Sequence, residues 1–322
     1  MRLFRTAQKK EGLRFGENHA FIFADFLAQE RDISLELRFS RTKAMEIYKN
    51  GVRQKRQSDA QGLLKTVLFC PEDLMLVRAG AAARRRFLDT ALCQMRPNYA
   101  RYLEEYNRLH EHKTRILRDS EEKPSLLSMW EDFSLRMAHI GAQIIRYRAY
   151  YCRKLLKAAA AVYADIAPHE VLSGVYKTVS SVTDPFADAR TIEKQLIDHV
   201  FSHKTAEIAA KSCLSGPHKD DLELLLDGRS AASFGSQGQV RTCTLSLKLA
   251  ERELFFDEDG EYPVLLLDDV LSELDRRRQD FVLNRISAGQ VMITCCEDGI
   301  LEKLRAGAVF HIQNGEKSTE TH

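Results

Sequence analysis

Two adjacent carboxylates follow a run of apolar residues in the last third of the chain. Val264 to Leu267 is apolar throughout, and Asp268 and Asp269 come next. Such a run predicts a strand buried on both faces of a parallel sheet, and open α/β sheets bind ligands at the carboxyl ends of their strands. A buried carboxylate needs a partner of opposite charge, and Mg²⁺ bound to a nucleotide phosphate is a suitable one. The second carboxylate could then polarise a water. The plainer alternative is a strand that ends in a solvated acidic turn.

A second group with possible chemistry is the run Ser236, Gln237, Gly238 and Gln239. It precedes a helical face of small and apolar residues, namely Val240, Cys243, Leu247, Ala250 and Leu254. Serine is a favoured helix N-cap, glycine lets a bound group approach the backbone, and a helix N-terminus attracts anions. Many helices begin in this way and bind nothing. Together with the acidic pair, however, the turn indicates phosphate binding.

The elements before these residues begin with a β-rich region of about 60 residues. Ile33, Leu35, Leu37 and Phe39 alternate with polar residues, which predicts a half-buried strand. The dipeptide Asn50-Gly51 favours a tight hairpin turn. This region is therefore expected to form an antiparallel meander. A short apolar strand at 67–70 and a proline-led helix start at 71–74 follow it.

Long helices are predicted from about Leu88 to Ala167. Apolar residues recur every three or four positions between Met137 and Ile166, which is about eight helical turns. An earlier helix after Pro97 carries a stripe of tyrosines, which is expected to pack in the core rather than bind a ligand. A polar stretch at 118–125 is the predicted turn between these helices. The pattern indicates a helical hairpin or coiled-coil-like arm.

The last third of the chain alternates between helix and strand. Helices are expected from about Ser236 and Asp275, and strands at 264–267 and 291–294. Strands that alternate with helices indicate a parallel sheet, so the expected fold class is α/β. A preceding strand at 222–226 is expected to end in a turn at Asp227-Gly228.

Composition sets the broad class of the protein. The 322 residues suggest roughly two domains, and 44% hydrophobic with 29% charged residues is an ordinary globular composition. It excludes a disordered tail, a collagen-like fibre and a disulfide-stapled scaffold. With 48 basic and 46 acidic side chains the net charge is +2, which excludes a uniformly basic surface but not a local basic stripe. The sequence has seven cysteines without CxxC spacing, no apolar run near ~20 residues and no signal-peptide core. These features predict a cytoplasmic protein without a membrane partner.

The order of these runs resembles the ABC-type ATPases of the structural-maintenance-of-chromosomes branch, and most closely the RecF family of bacterial recombinational-repair proteins. The run 236–242 is similar to the signature motif of that family. The run 265–275 is similar to its Walker B strand and the following D-loop.

Three further segments are similar to the same family. They are 70–74, 84–89 and 216–222, with Lys219 where arginine is more usual. The resemblance covers essentially the whole chain in the order of the family. It implies an ATPase head with a mixed sheet and an antiparallel β subdomain, plus a long helical-hairpin arm. The domains expected from it are 1–87 and 213–313 for the two parts of the head, 88–212 for the arm and 314–322 for a flexible tail.

The resemblance also implies roles for the acidic residues. Asp268 would hold Mg²⁺ through water, and Asp269 would orient or activate the water that attacks ATP. Ser272, Glu273 and Asp275 would line the seam of a dimer.

For the serine-capped turn, the resemblance implies contact with a nucleotide held by the other protomer. Ser236, Gln237, Gly238 and Gln239 would form this contact, with Ser236 and Gly238 touching the γ-phosphate. The family implies ATP-dependent dimers that bind DNA at junctions of single and double strands. It also implies work with RecO and RecR to load recombinase at gaps.

One part of the family pattern is absent from these 322 residues. A Walker A motif needs G-x-x-x-x-G-K-[ST], and no glycine here is followed by lysine. The run Gly16-Glu17-Asn18 has some likeness to a P-loop opening, but His19-Ala20-Phe21 follows it. The sequence is expected to begin downstream of the P-loop, through a misplaced start or a real loss. A homodimer would then have two signatures and no phosphate cradle, so very weak ATP binding and negligible turnover are expected.

DNA contacts are harder to place from sequence. A run of basic residues can contact DNA phosphates or simply form a solvated face of the protein. The candidate runs are Arg53, Lys55 and Arg56; Arg84, Arg85 and Arg86; and 276–278. No aromatic residues interleave with them, which favours backbone recognition over base stacking.

Two other functions compete with the ATP-linked repair factor. One is a nucleotide-independent DNA-binding scaffold that has lost its P-loop. The other is the ATPase subunit of an ABC transporter, which would show a Leu-Ser-Gly-Gly-Gln signature and a switch histidine. Here Cys295-Cys296 occupies the place of that histidine, and transporter subunits lack the long helical insertion.

Overall fold

The computed structural model of the chain describes residues 12–286, 288–296, 307–313 and 316–317. Within these ranges the strands are β1 (His19–Ala28), β2 (Arg31–Ser40), β3 (Glu46–Lys49), β4 (Val52–Arg53), β5 (Thr66–Phe69), β6 (Leu172–Lys177), β7 (Asp221–Leu226), β8 (Arg229–Ser230), β9 (Val264–Asp268), β10 (Val291–Thr294), β11 (Ile312–Gln313) and β12 (Glu316–Lys317). They form four sheets, with the orders β1-β2-β3-β4, β10-β9-β5, β6-β7-β8 and β11-β12.

The α-helices of the same ranges are α1 (Ala81–Met95), α2 (Pro97–Asp119), α3 (Trp130–Ile166), α4 (Ala189–Ser202), α5 (Lys204–Ala210), α6 (Ala231–Phe234), α7 (Gln237–Asp259) and α8 (Arg276–Arg285). Short 3₁₀ helices span Gln57–Ala60, Pro71–Met75, Pro124–Met129, Pro217–Lys219 and Leu271–Glu273. The proline-led start predicted at 71–74 is thus a five-residue 3₁₀ helix, and the following α-helix begins at Ala81.

The N-terminal sheet is the antiparallel meander that the sequence predicts. Its strands pair in chain order, and Leu37 and Ile47, which lie opposite each other, are buried. Asn50 and Gly51 join β3 to β4 with φ values of 48° and 76°. Both residue types tolerate this left-handed conformation, which is the conformation a two-residue hairpin needs.

The central sheet consists of three parallel strands, with β9 in the middle. Leu265 pairs with Val67 of β5 on one side and with Val291 of β10 on the other. Leu265 and Leu267 are buried in the main core, whereas Val264 and Leu266 are only half-buried. The strand is therefore fully buried on one face, not on both as expected. Successive side chains of a strand point to opposite faces, and the second face is only partly covered.

The long helices occupy the region in which the periodicity placed them. Helix α3 has 37 residues and contacts α2, α4, α7 and β6. At a rise of 1.5 Å per residue it is about 55 Å long. The tyrosine stripe of α2 packs in the core as predicted, because Tyr99 and Tyr106 are buried and Tyr99 makes an edge contact with Tyr147 of α3.

The main hydrophobic core joins residues from all three predicted domains. Val67, Tyr151 and Leu254 belong to the same buried cluster, although they come from the first, second and third segments. The boundaries at 87 and 212 stay a prediction. Most of the predicted tail, 314–322, lies outside the described residues; the exception is 316–317, which pairs with β11.

Candidate functional site

The carboxyl end of the parallel sheet brings three chain segments side by side. Asp268 ends β9 and pairs with Thr294, which ends β10; Cys70 directly follows β5 on the other side. The Thr294 hydroxyl donates to Oδ1 of Asp268 at 2.8 Å, and its Oγ1 accepts the backbone N–H of Asp269 at 3.0 Å. One hydroxyl therefore fixes the positions of both aspartates.

A tight turn leads from the aspartates into the segment 272–275, the D-loop. Asp269 has a φ of 52°, a left-handed conformation that aspartate tolerates better than most residues. The Ser272 hydroxyl donates to the backbone oxygen of Asp269 at 2.7 Å and lies 3.2 Å from its Oδ1. Asp275 then caps helix α8 by accepting the N–H of Arg278 at 3.0 Å.

The turn 236–239, the signature turn, starts helix α7 with a reciprocal capping box. Ser236 Oγ accepts the N–H of Gln239 at 3.2 Å, and Gln239 Oε1 accepts the N–H of Ser236 at 2.7 Å. These two bonds satisfy donors that a helix start would leave without partners. Ser236 and Gln237 are exposed, so the helix N-terminus faces solvent where an anion could bind.

Two arginines join the signature helix to the D-loop. Arg241 donates to the backbone oxygen of Glu273 at 2.6 Å and to its Oε2 at 3.1 Å. Arg278 donates to the carbonyl oxygen of Gly238 at 3.1 Å and to the Thr242 hydroxyl at 2.9 Å. The structure thus places the predicted signature and D-loop residues in one hydrogen-bonded unit.

The signature turn has a further partner that sequence reasoning missed. Gln239 Nε2 donates to Oε1 of Glu170 at 2.9 Å, and the hydroxyl of Tyr163 donates to the other carboxylate oxygen at 2.5 Å. Burial raises the pKa of Tyr163, and the bond to Glu170 raises it further, so the hydroxyl stays protonated and remains a donor. Nothing in the sequence pattern marks Glu170, which stands 69 positions before Gln239.

Curated relatives resemble the chain over nearly its whole length, although no family model matches it. The DNA replication and repair protein RecF of Clostridium tetani is 33% identical over 98% of this chain and 86% of its own length. That of Lactobacillus johnsonii is 36% identical over 99% of this chain and 86% of its own length. The chain belongs to the RecF family of DNA replication and repair proteins.

Solved structures agree with this assignment. A structure of the recombination mediator protein RecF-ATPrS in the RecFOR pathway has a TM-score of 0.89 and 28% identity, and it covers 98% of this chain and 84% of that chain. One of RecF-ATP has a TM-score of 0.85 and 29% identity, with 92% and 79% covered. The α/β fold with an ATPase-type head and long helices is therefore confirmed as the RecF fold.

Two RecF-typical segments of the chain meet in its core rather than at its surface. Arg148 of α3 is buried and donates through Nε and Nη2 to Asp89 at 2.9 and 3.0 Å, and through Nη1 to Asp220 at 3.1 Å. Tyr176 donates to the same oxygen of Asp220. Burial raises the pKa of Asp220 to about 7, and its Oδ1 has no hydrogen-bond partner among the described residues.

The same location shows how two of the basic candidates for DNA contact are bonded within the fold. Arg84 forms a two-bond pair with Asp221 at 2.7 and 2.8 Å, and Arg85 donates to the backbone oxygen of Asp220 at 2.6 Å. These two side chains are bonded within the fold, and their predicted role in binding DNA phosphate stays a prediction. Arg86, in contrast, is exposed.

The remaining basic runs differ in how their side chains are bonded within the fold. Arg277 donates to the backbone oxygen of Ile166 at 2.8 Å, and Arg278 is committed to the signature turn. The hairpin cations are exposed: Arg53 pairs with Glu46 at 2.9 Å with 65% of its side chain open to solvent, and Lys55 and Arg56 follow it.

Residues that could hold a metal are few in the described part of the chain. It contains no group of three or more histidine, cysteine, aspartate or glutamate side chains placed to bind one ion. Asp268 and Asp269 fit Mg²⁺ only as one side of a site, which is how this ion binds when phosphates and waters complete its shell. All seven cysteines are free thiols. None of the described helices is long and apolar enough to cross a bilayer.

Proposed function

We propose that the chain works as a DNA-repair factor whose signature turn contacts a nucleotide bound to a second protomer. The observation that carries this proposal is the single hydrogen-bonded unit of signature turn and D-loop, which begins at the carboxyl end of the parallel sheet. Solved RecF relatives with ATP or ATPrS support it. In this arrangement Ser236 and Gly238 contact the γ-phosphate, and Gln237 and Gln239 complete the turn. The seam between protomers is lined by Ser272, Glu273 and Asp275.

The aspartates would serve the nucleotide of their own protomer. Asp268, fixed by Thr294, would hold Mg²⁺ through a water, and Asp269 would orient the attacking water. When bound, the ion supplies charge neutralisation at the phosphates. The half-buried carboxylates stand beside the D-loop, so a neighbouring protomer can close over them.

The phosphate cradle is the part that these 322 residues do not supply. They contain no G-x-x-x-x-G-K-[ST], the motif whose backbone amides and lysine hold the phosphates. A dimer of this polypeptide would present two signature turns and no cradle. Very weak ATP binding and negligible turnover of the polypeptide itself follow from this.

DNA is the macromolecular partner that the family indicates. We propose binding at junctions between single and double strands, in a homodimer, and cooperation with RecO- and RecR-like proteins to load recombinase. The exposed cations Arg53, Lys55, Arg56 and Arg86 are the proposed phosphate contacts. Contacts of this kind make affinity fall steeply with salt.

Fluorescence anisotropy with three DNA substrates tests the DNA part of the proposal. A gapped duplex, a blunt duplex and a single strand, titrated at several salt concentrations, should bind in that order of decreasing affinity. The K55A/R56A double variant should reduce the slope of log K against log salt by roughly two, about one for each phosphate that is no longer neutralised. K194A, which removes an exposed lysine on α4, is the matched control and should leave the slope unchanged. Equal binding to all three substrates, or none at low salt, would contradict the proposal.

A nucleotide-independent DNA scaffold is the second candidate, favoured by the absence of the P-loop motif from the 322 residues. The ATP-linked repair factor and the scaffold differ in whether the signature turn contacts a nucleotide held by another protomer. Mixed with a RecF chain that carries a P-loop, this chain should associate in an ATP-dependent manner, and S236R should abolish the association. A scaffold would bind DNA equally well with or without ATP and would not respond to S236R.

A further inference from the structure

Glu170 lies in the short connection between the end of helix α3 and strand β6. Its two carboxylate oxygens accept different donors: Oε1 takes Gln239 Nε2 at 2.9 Å, and Oε2 takes the Tyr163 hydroxyl at 2.5 Å. Its own N–H donates to the backbone oxygen of Ala167 at 3.2 Å, so the backbone around it is also held. Hydrogen bonds to a carboxylate are about twice as strong as those between neutral groups.

The bond to Glu170 fixes the orientation of the Gln239 amide. Because Oε1 of Gln239 accepts the N–H of Ser236 at 2.7 Å, only Nε2 remains to face Glu170. Rotating the amide by 180° would break both bonds. A continuous chain of hydrogen bonds therefore runs from the capping serine through Gln239 and Glu170 to Tyr163 of α3.

Other contacts attach the same end of α3 to the neighbouring helix. Arg277 of α8 donates to the backbone oxygen of Ile166, the last residue of α3, at 2.8 Å. Arg285 pairs with Asp165. The last turn of α3 is thus bonded both to the signature turn and to the helix after the D-loop.

We propose that Glu170 is a positioning residue for the signature turn and couples it to the long helix α3. The significance of the turn for nucleotide contact rests on the function proposed above, but the coupling is a property of the chain itself. A movement of Ser236 or Gln239 changes the bonds that hold the end of α3, and a shift of α3 changes the turn. Such coupling is reciprocal.

Amide hydrogen exchange on the 322-residue chain, without nucleotide or DNA, tests this coupling. E170M keeps much of the length of the side chain but offers no acceptor to either Gln239 Nε2 or the Tyr163 hydroxyl. Exchange of residues 237–241 and of residues 160–170 should accelerate together, by roughly tenfold for the removal of one charge-assisted bond. Y163F should accelerate exchange at 160–170 while leaving Glu170 able to hold Gln239.

E170Q separates hydrogen bonding from charge. It lacks the carboxylate charge, but its amide oxygen can accept Gln239 Nε2 and its amide nitrogen can donate to the Tyr163 hydroxyl, so exchange at 237–241 should stay near the wild-type rate. E193M is the matched control for E170M, because Glu193 is a half-buried carboxylate on α4 that bonds to His139 at 3.0 Å. It should leave 237–241 unchanged.

Three results would overturn the inference: wild-type exchange at 237–241 in E170M, equal acceleration in E193M, or equal acceleration in E170Q. In the last case the turn would respond to the carboxylate charge and not to the hydrogen bonds that join it to α3. Because no nucleotide or DNA is present, a failure of the proposed function in the binding experiments leaves this test intact.

Discussion

Arg278 donates to the carbonyl oxygen of Gly238 at 3.1 Å and thereby ties helix α8 to the start of helix α7. Its Nε bonds to Thr242 at 2.9 Å, and it pairs with Asp275 of the D-loop. A side chain that bonds to three acceptors on two elements needs several donors in a fixed planar arrangement. The guanidinium of arginine has this arrangement and the ammonium of lysine does not.

The first prediction concerns this arginine. R278K should lower the free energy of unfolding by about 1–2 kcal/mol, since the lysine keeps the charge but cannot make most of these bonds. Urea unfolding measures the change. R276K, at the exposed neighbouring position, should change stability by less than about 0.5 kcal/mol. Equal effects of the two substitutions would mean that the bonds of Arg278 contribute nothing to stability.

A second prediction compares two glycines of the family segments. Gly216 has a φ of 124°, and a Cβ there would collide with the Tyr106 hydroxyl, which is bonded to His218 at 2.7 Å. Gly238 has an ordinary φ, and its Cβ would lie 3.3 Å from the flexible end of Arg278. G216A should therefore destabilise the fold by about 2–4 kcal/mol and G238A by less than about 1 kcal/mol. Thermal unfolding of both variants makes the comparison, and a more stable G216A would contradict it.

Local patterns in the sequence predicted the elements of this fold well. The alternation at Ile33 to Phe39 corresponds to a strand, Asn50-Gly51 forms a hairpin turn, and Ser236 and Asp275 are helix caps. Each of these depends on the backbone preferences of neighbouring residues. Such preferences depend on residues within a few positions of each other, so they can be recognised in the sequence without knowledge of the tertiary structure.

Partners distant in the sequence could not be predicted in the same way. Arg276, Arg277 and Arg278 look alike as a basic run, but only the direction of each side chain on α8 decides that Arg276 is exposed and Arg278 is internal. Arg84 looks like a candidate for DNA contact in the sequence, but the fold places Asp221 beside it. Which cation faces a carboxylate is set by tertiary packing.

The third prediction concerns pH. Burial raises the pKa of Asp220 to about 7, above its usual value, so the folded state binds a proton that the unfolded chain has released. Stability from this group is present at low pH and is lost as pH rises towards 7, by up to about 1.4 kcal/mol per pH unit. D220N keeps the neutral shape and should lack this slope.

The measurement is the difference in unfolding free energy between wild type and D220N from pH 4.5 to 7. Taking the difference matters because burial lowers the pKa of His218 to about 3, which adds a slope of opposite sign to both proteins. The wild type should lose its advantage, or fall below the variant, as pH rises. A difference that grows with pH would mean that Asp220 is ionised in the fold and that Arg148 outweighs burial.

The fourth prediction concerns Thr294. T294V keeps the shape of the side chain but removes the hydroxyl that bonds to both aspartates. It should destabilise the fold by about 1 kcal/mol, and T294S should restore most of that stability. Urea unfolding at neutral pH measures both variants. A T294V variant as stable as the wild type would remove the argument that the hydroxyl positions the aspartates.

The last prediction follows from the missing phosphate cradle. In the proposed arrangement the signature turn contacts only the γ-phosphate of a nucleotide held by another protomer, whereas a P-loop, whose motif is absent from these 322 residues, neutralises most of the phosphate charge. Titration of the polypeptide with a fluorescent ATP analogue and Mg²⁺ should therefore show no saturation below about 1 mM, an affinity of only about 4 kcal/mol. A RecF chain that carries a P-loop, titrated in parallel, is the positive control. Micromolar binding by this polypeptide would mean that Asp268, Asp269 and their neighbours hold phosphate by a route that the P-loop argument does not include.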